Sequence, residues 1–204
     1  MSKIPLLLAT HNQGKVTEIK KYLSSLPLGI TSLHELGIKE KFEETASTFA
    51  ANARGKGLFY ARFTRGLTLA EDSGLEIDAL DGAPGVYSAR FAGEKATDED
   101  NIQKVLALLK GVPLFQRRAR FVCWLVLVKN QEIISEIEEK VEGYIIEEKR
   151  GNYGFGYDPI FYYPPLKKTL AELKPEEKNR ISHRGKALVR LKKFLEKYLQ
   201  DSYP

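Results

Sequence analysis

The stretch IPLLLATHNQGKVTEIKKYLSSL, residues 4–26, decides the reading of the fold. Ile4 to Ala9 is a short apolar run that ends in polar residues, the pattern of a buried strand. From Gly14 onward Val16, Ile19, Leu23 and Leu26 recur at helical spacing, so a strand, a tight loop and a helix follow one another within 23 residues. A chain that opens this way builds an α/β architecture if the alternation continues. It does at first. Residues 30–33 read as a short strand, 45–65 as a long helix containing Phe49, Phe59 and Phe63, and 67–70 as a buried strand. The acidic residues Glu71 and Asp72, with Ser73 and Gly74, read as the turn that ends it. Residues 81–96 are irregular, and a helix begins after Thr97, whose spacing to Asp100 is that of a capping box. It runs to Leu109.

The second half changes character. Residues 119–129, ARFVCWLVLVK, are nearly all apolar and rich in β-branched and aromatic types, the strongest strand signal in the chain. A turn at Lys129-Asn130-Gln131 leads into 133–146, so the two form an antiparallel hairpin. Residues 151–158 read as a Gly and aromatic loop, 159–163 as a short strand, and 172–180 as a charged segment interrupted by Pro175. Ser182 caps a final amphipathic helix carrying Leu188, Leu191, Leu195 and Tyr198 on one stripe. The expected sheet is therefore mixed and central, with flanking helices.

Composition narrows the class. The chain has 204 residues, 43% hydrophobic and 29% charged, which suits a single domain spanning 1–204. No apolar run approaches the ~20 residues that cross a bilayer, and the N-terminus reads as a first strand rather than a signal peptide. One cysteine, Cys123, excludes a disulfide framework. The expectation is a soluble cytoplasmic chain with no membrane partner. Its formal charge of +5 fits a polyanionic partner without choosing one.

Four segments carry chemistry. The first is Thr10-His11-Asn12-Gln13-Gly14-Lys15 at a helix N-terminus. Backbone N–H groups, the helix dipole and the Lys15 charge suit a phosphate there, although the P-loop spacing is absent and the segment also reads as an ordinary strand-to-helix turn. The second is acidic: Glu43-Glu44 before the long helix and Glu71-Asp72 after a buried strand. Carboxylates near a phosphate cradle suit magnesium, and one could also deprotonate a water. A solvated acidic turn is the alternative. The third is Gly154-Phe155-Gly156-Tyr157-Asp158, where glycines expose a ring on which a base can stack and Asp158 can accept from base N–H groups. The same residues also suit a turn with aromatic core residues. The fourth is Lys178 with Ser182-His183-Arg184-Gly185-Lys186. Cations at the start of a helix oppose its dipole, so they make sense facing an anion or a base carbonyl.

In order along the chain, the segments ATHNQGKVTEI (9–19), FEETASTFAANARGKG (42–57), LAEDSGLEIDALDGAPGVYSARFAGEKATDEDN (69–101), RARFVC (118–123), GFGYDPIF (154–161) and AELKPEEKNRISHRGKAL (171–188) resemble the inosine triphosphate pyrophosphatases, the Ham1-like family. The resemblance implies an elongated, two-lobed mixed α/β fold with the active site in a cleft between the lobes, magnesium (Mg2+) as cofactor, and a homodimer. It implies cleavage of ITP, dITP and XTP between the α- and β-phosphates, which cleanses the nucleotide pool. Carried over by position, Thr10, His11, Asn12, Gln13, Gly14 and Lys15 hold the phosphates, Lys15 also acting in catalysis. Glu44 and Asp72 hold the metal, and Asp72 accepts the proton of the attacking water. Lys56 and Ser73 touch phosphate or sugar. Phe155 stacks on the base, with Gly156, Tyr157, Asp158, Lys178, His183 and Arg184 around it. A purine with a C6 carbonyl pairs with the donor-only Lys178 and Arg184 where adenine does not. Two other readings remain: a Maf-type nucleotide pyrophosphatase with another base preference, and an RNA-binding module. The carboxylates at Glu44 and Asp72 argue against the latter, so no nucleic acid partner is expected.

Overall fold

The computed structural model describes residues 3–202. Seven strands form one sheet in the order β2-β1-β3-β4-β5-β6-β7. They are β1 (Ile4–Ala9), β2 (Leu28–Ser32), β3 (Leu67–Ile77), β4 (Arg118–Lys129), β5 (Glu132–Ile145), β6 (Phe161–Tyr163) and β7 (Lys168–Thr169). β1 pairs in parallel with both β2 and β3, as the opening alternation predicts. The β5–β6 and β6–β7 pairs are antiparallel, so the sheet is mixed. β4 and β5 join through Asn130 and Gln131, both at positive φ (50° and 65°). A two-residue connection of that geometry closes an antiparallel hairpin with the twist of its strands.

The helices are α1 (Gln13–Leu23), α2 (Phe49–Ala61), α3 (Asp98–Leu108), α4 (Pro175–Ile181) and α5 (His183–Ser202). Several differ from the sequence expectation for clear physical reasons. The helix expected over 45–65 starts only at Phe49, because the Thr48 hydroxyl accepts the Ala51 N–H and caps it. Pro175 does not interrupt a segment. It occupies the first position of α4, where its missing N–H costs nothing. The expected acidic turn at 71–74 lies inside β3, which continues to Ile77. The strand expected over 159–163 begins only at Phe161. The capping box at Thr97 and Asp100 is present, with each backbone N–H bound to the other residue's side chain.

The chain divides into two compact units. The first comprises the described residues up to Asp72, Cys123–Glu138 and the residues from Ala187 onward; the second is Ser73–Val122 and Glu139–Lys186. In the first unit, α1 and α5 cover one face of the strands through Val16, Ile19, Leu188, Leu191 and Leu195, packed with Leu6, Leu8, Leu67, Leu69, Cys123 and Leu125. α2 covers the opposite face, where Ala53 and Ala61 meet Val126 and Val128. In the second unit α3 contributes Ile102 and Val105 to a core with Leu75, Ile77, Phe121, Val141, Tyr157 and Phe161.

The two glycines within the α2 sequence would weaken a free helix by roughly 1 kcal/mol each. At Gly57 closeness explains the choice: a Cβ there would sit 3.0 Å from Val128 Cγ2 and 3.5 Å from Ala70 Cβ. A larger residue must push α2 off the strands. Gly57→Val gains up to about 0.5 kcal/mol of helix propensity but incurs overpacking of about 1–3 kcal/mol, so the variant loses stability in urea unfolding.

Candidate active site

In the first unit, β1 delivers the chain into a loop that its own side chains set. The Thr10 hydroxyl accepts the Asn12 N–H at 3.1 Å, and the Asn12 side chain accepts the Lys15 N–H at 3.1 Å. Asn12 is thus the N-cap of α1. The Gln13 and Gly14 N–H groups come at the first two helical positions, where no preceding carbonyl of the helix can accept them. His11, Asn12 and Gln13 are exposed. The segment therefore presents helix-terminal donors and the positive end of the α1 dipole on the surface of the unit.

Lys15 is turned toward β3, its Nζ 3.3 Å from Glu71 Oε1. Successive residues of a strand face opposite sides. Leu67 and Leu69 pack toward α1 and α5, and Glu71 follows them. Ala70 and Asp72 face the α2 side. There Asn52, Lys56 and Tyr60, spaced by four along α2, form a buried polar stripe. Lys56 Nζ donates to the Glu71 carbonyl at 3.0 Å and pairs with the Glu44 carboxylate. The Asn52 side chain accepts the Ala46 N–H and donates to the Ala46 carbonyl (3.0 and 3.3 Å), and it hydrogen-bonds the Asp72 carboxylate. Tyr60 Oη donates to the Glu40 carbonyl at 2.9 Å, accepts the Phe42 N–H at 3.2 Å and lies 3.5 Å from His11 Nε2. One helix face thus fastens the loop that carries Glu44 to the strand that carries Asp72.

Glu71 is 2% and Asp72 5% exposed. Burial pushes the Asp72 carboxyl above its ordinary value of 3.8, and the nearby Glu44 charge adds to the rise; Lys56, Lys15 and Asn52 pull the other way. Two carboxylates that repel each other across a lysine are a hard-oxygen donor pair that a divalent cation would relieve. Among the described residues no three His, Cys, Asp or Glu side chains gather into a closed metal cage. A cation here would complete its shell with water and phosphate oxygens, which is how magnesium is usually held.

The second unit holds the remaining candidates. Phe155 lies between Gly154 and Gly156, both at positive φ (79° and 60°). A Cβ on Gly154 would collide with Asp158 Oδ2, so that position admits only glycine without rearrangement. Asp158, 2% exposed, turns inward: its Oδ2 accepts the Phe155 N–H at 2.9 Å and Lys178 Nζ at 2.6 Å. Lys178 Nζ and the Arg184 guanidinium sit over the Phe155 ring, 4.6 and 5.4 Å from its centroid. Arg184 also comes within 3.5 Å of Ser73 Oγ. α5 starts at His183, and Ser182 accepts the Gly185 N–H, as a cap should. Tyr157 and His183 are packed groups: Tyr157 Oη donates to the Ser88 carbonyl at 2.8 Å, and the His183 ring stacks on Phe121 at 4.9 Å.

The structure thus gathers Thr10 to Lys15, Glu44, Lys56 and Asp72 in the first unit, and Ser73, Phe155 to Asp158, Lys178, His183 and Arg184 in the second. Sequence reasoning missed Asn52, Tyr60 and the Lys15–Glu71 pair. The spacing of 52, 56 and 60, which sets three polar groups on one face of the helix, is the signal for the first two.

The energetics of Asp72 have a definite sign. A carboxyl that holds its proton more tightly in the folded chain favours folding below pH 3.8 and loses that contribution as pH climbs through its raised value. At neutral pH the ionised group opposes folding. Asp72→Asn therefore melts above the parent protein at pH 7 in chelator, with the gap closing toward pH 4.

The sequence model of the Ham1 family matches residues 6–194. A dITP/XTP pyrophosphatase of Bacillus subtilis is 51% identical over 190 residues, 93% of this chain and 96% of that protein. One of Thermoanaerobacter pseudethanolicus is 47% identical over 196 residues, 96% of this chain and 98% of that protein. Among solved structures, a HAM1 protein from Coxiella burnetii superposes with a TM-score of 0.86 at 43% identity, covering 95% of this chain and 99% of that one.

Proposed function

The chain belongs to the Ham1 family, and from that premise we propose that it hydrolyses non-standard purine nucleoside triphosphates (ITP, dITP and XTP) to the monophosphate and pyrophosphate. The names of the relatives, dITP/XTP pyrophosphatases at 47–51% identity over nearly the whole chain, support the substrate class. The observation that carries the chemistry is the buried Asp72 carboxylate set among Glu44, Lys56 and Lys15. The residues of the first unit suit a triphosphate, and those of the second suit a purine base.

At the phosphate end, the Gln13 and Gly14 N–H groups and the Lys15 and Lys56 charges bind the triphosphate oxygens, with Thr10, His11 and Asn12 shaping the loop. Charge accumulates on the leaving pyrophosphate as the α–β bond breaks, and Lys15 stabilises it there. Asp72 accepts the proton of the water that attacks the α-phosphorus in line; its raised carboxyl makes it a better base than an exposed aspartate. Glu44 and Asp72 are the residues that would hold magnesium, which when bound supplies further neutralisation of the phosphate charge. No covalent intermediate is required. At the base end, Phe155 offers its ring, and Lys178 and Arg184 donate to a C6 carbonyl that adenine lacks. Asp158 anchors Lys178 and the loop beneath them.

No helix among the described residues is long and apolar enough to cross a membrane. We infer a homodimer working in the cytoplasm, the setting in which deaminated nucleotides would enter the pool; light scattering of the purified protein checks the assembly.

A pyrophosphate-release panel over the common and deaminated triphosphates tests the substrate class. The expected order is dITP, ITP and XTP far above ATP, with activity lost in chelator and restored by magnesium. A pyrimidine triphosphate turned over faster than ITP would instead indicate Maf-type selectivity, and salt-dependent RNA binding without hydrolysis would indicate the nucleic-acid module. Asp72→Asn lowers kcat by about 100-fold or more while the protein stays folded by circular dichroism. Lys178→Met and Arg184→Met narrow the ratio of ITP to ATP turnover; an unchanged ratio contradicts the base-end assignment.

A further inference from the structure

We propose that Asp98, at the first position of α3, is a positioning residue that holds the Phe155 loop in its base-accepting conformation through the Gly156 N–H. The inference rests on the reading of Phe155 as the base platform. Asp98 Oδ2 accepts the Gly156 N–H at 2.6 Å, a short charge-assisted hydrogen bond between residues 58 positions apart.

The need for such a contact follows from the loop itself. With glycines at 154 and 156, both at positive φ, the backbone on either side of Phe155 has no side chain of its own to restrict it. The loop surface from Gly151 to Gly154 is exposed. Beneath the loop a cavity of about 570 Å³ is lined by Asp98, Glu99 and Ile102 on the α3 side and by residues 151–156 on the other. Apolar packing therefore does not fix the ring direction on that side. Instead two successive amides are each aimed at a carboxylate: Phe155 N–H at Asp158 and Gly156 N–H at Asp98. Those two bonds orient the peptide planes on both sides of the Phe155 Cα and so fix where its side chain leaves the backbone.

α3 is a suitable post for this. Its N-terminus is closed by the Thr97–Asp100 capping box. Ile102, Val105 and Leu109 bury its inner face, and the Asn101 side chain accepts the Ala92 N–H at 2.8 Å and donates to the Ala89 carbonyl at 3.3 Å. The neighbouring acid, Glu99, pairs with Lys149 at 2.7 Å, where both side chains are about half exposed (52% and 45%), and accepts from Gln103 Nε2 at 2.8 Å. Both acids are exposed, so what separates them is the partner: a backbone amide beside Phe155 for Asp98 and a lysine side chain for Glu99. Asp98 and Glu99 thus share the same favourable place in the α3 dipole but differ in what they hold, which makes one the control for the other.

The experiment compares Asp98→Ala, Asp98→Asn and Glu99→Ala for dITP kinetics and for exchange of the Gly156 amide followed by NMR. Asp98→Ala is expected to raise KM for dITP about tenfold with kcat little changed, since the phosphate-end residues are untouched. It also speeds Gly156 exchange. Asp98→Asn keeps a carbonyl acceptor and restores most of both, and Glu99→Ala leaves both near the parent values. Unchanged Gly156 exchange, or unchanged KM, in Asp98→Ala overturns the assignment, as does an equal effect of Glu99→Ala. Loss of Gly156 protection in a protein that hydrolyses no purine triphosphate leaves the strap standing and overturns the reading of the site.

Discussion

Two adjacent carboxylates, Glu71 and Asp72, are buried in the interior of β3, and much of the first unit is arranged to make that tolerable. Removing an ion from water costs several kcal/mol unless it is paired or protonated. Strand geometry sends the two side chains to opposite faces, so one helix cannot serve both. α1 brings Lys15 to Glu71 on one face, and α2 brings Lys56 and Asn52 to the Asp72 side on the other. The parallel β1–β3 pairing is what makes this possible, because it sets the end of β1, Ala9, opposite Ala70 and so carries the chain into the start of α1 beside Glu71. The compensation is incomplete. Asp72 keeps a raised carboxyl, and that residual tension is what a base for water activation requires.

The second unit solves a different problem with the same chemistry. A ring that must be offered to a ligand cannot be buried in the core, and flanking glycines leave its direction undetermined. Carboxylates supply the determination. Asp158 takes the Phe155 N–H and the Lys178 ammonium together, so the position of the loop and of the cation over its ring are set by one group. The stacking of His183 on Phe121 and the Tyr157 bond to Ser88 support the arrangement from the core side.

Much of this was legible in the sequence. The apolar run at 4–9 with helical spacing after it, the hairpin about Asn130-Gln131 and the capping box at Thr97 are signals that local physics writes directly. The acidic segment at 71–74 reads locally as a turn because Asp, Ser and Gly have poor intrinsic strand preference; pairing with neighbouring strands overrides that preference. Pro175 reads locally as an interruption but marks a start, an ambiguity that proline carries at helix boundaries. Thr10 to Lys15, the acids Glu44 and Asp72 and the Phe155 loop stand out by the types and order of their residues, whereas Lys56 is implied only by the resemblance to the Ham1-like family. What local reading lacked was partnership. That Asp158 is spent on Lys178, and that Asn52 ties Ala46 to Asp72, depends on residues brought together only by folding.

The proposed chemistry turns on water attacking the α-phosphorus. Hydrolysis of dITP in water enriched in oxygen-18, with the products resolved by phosphorus-31 NMR, tests this directly. The account predicts pyrophosphate as the leaving product and the heavy oxygen in the monophosphate. Release of orthophosphate, or heavy oxygen in the pyrophosphate, would contradict it.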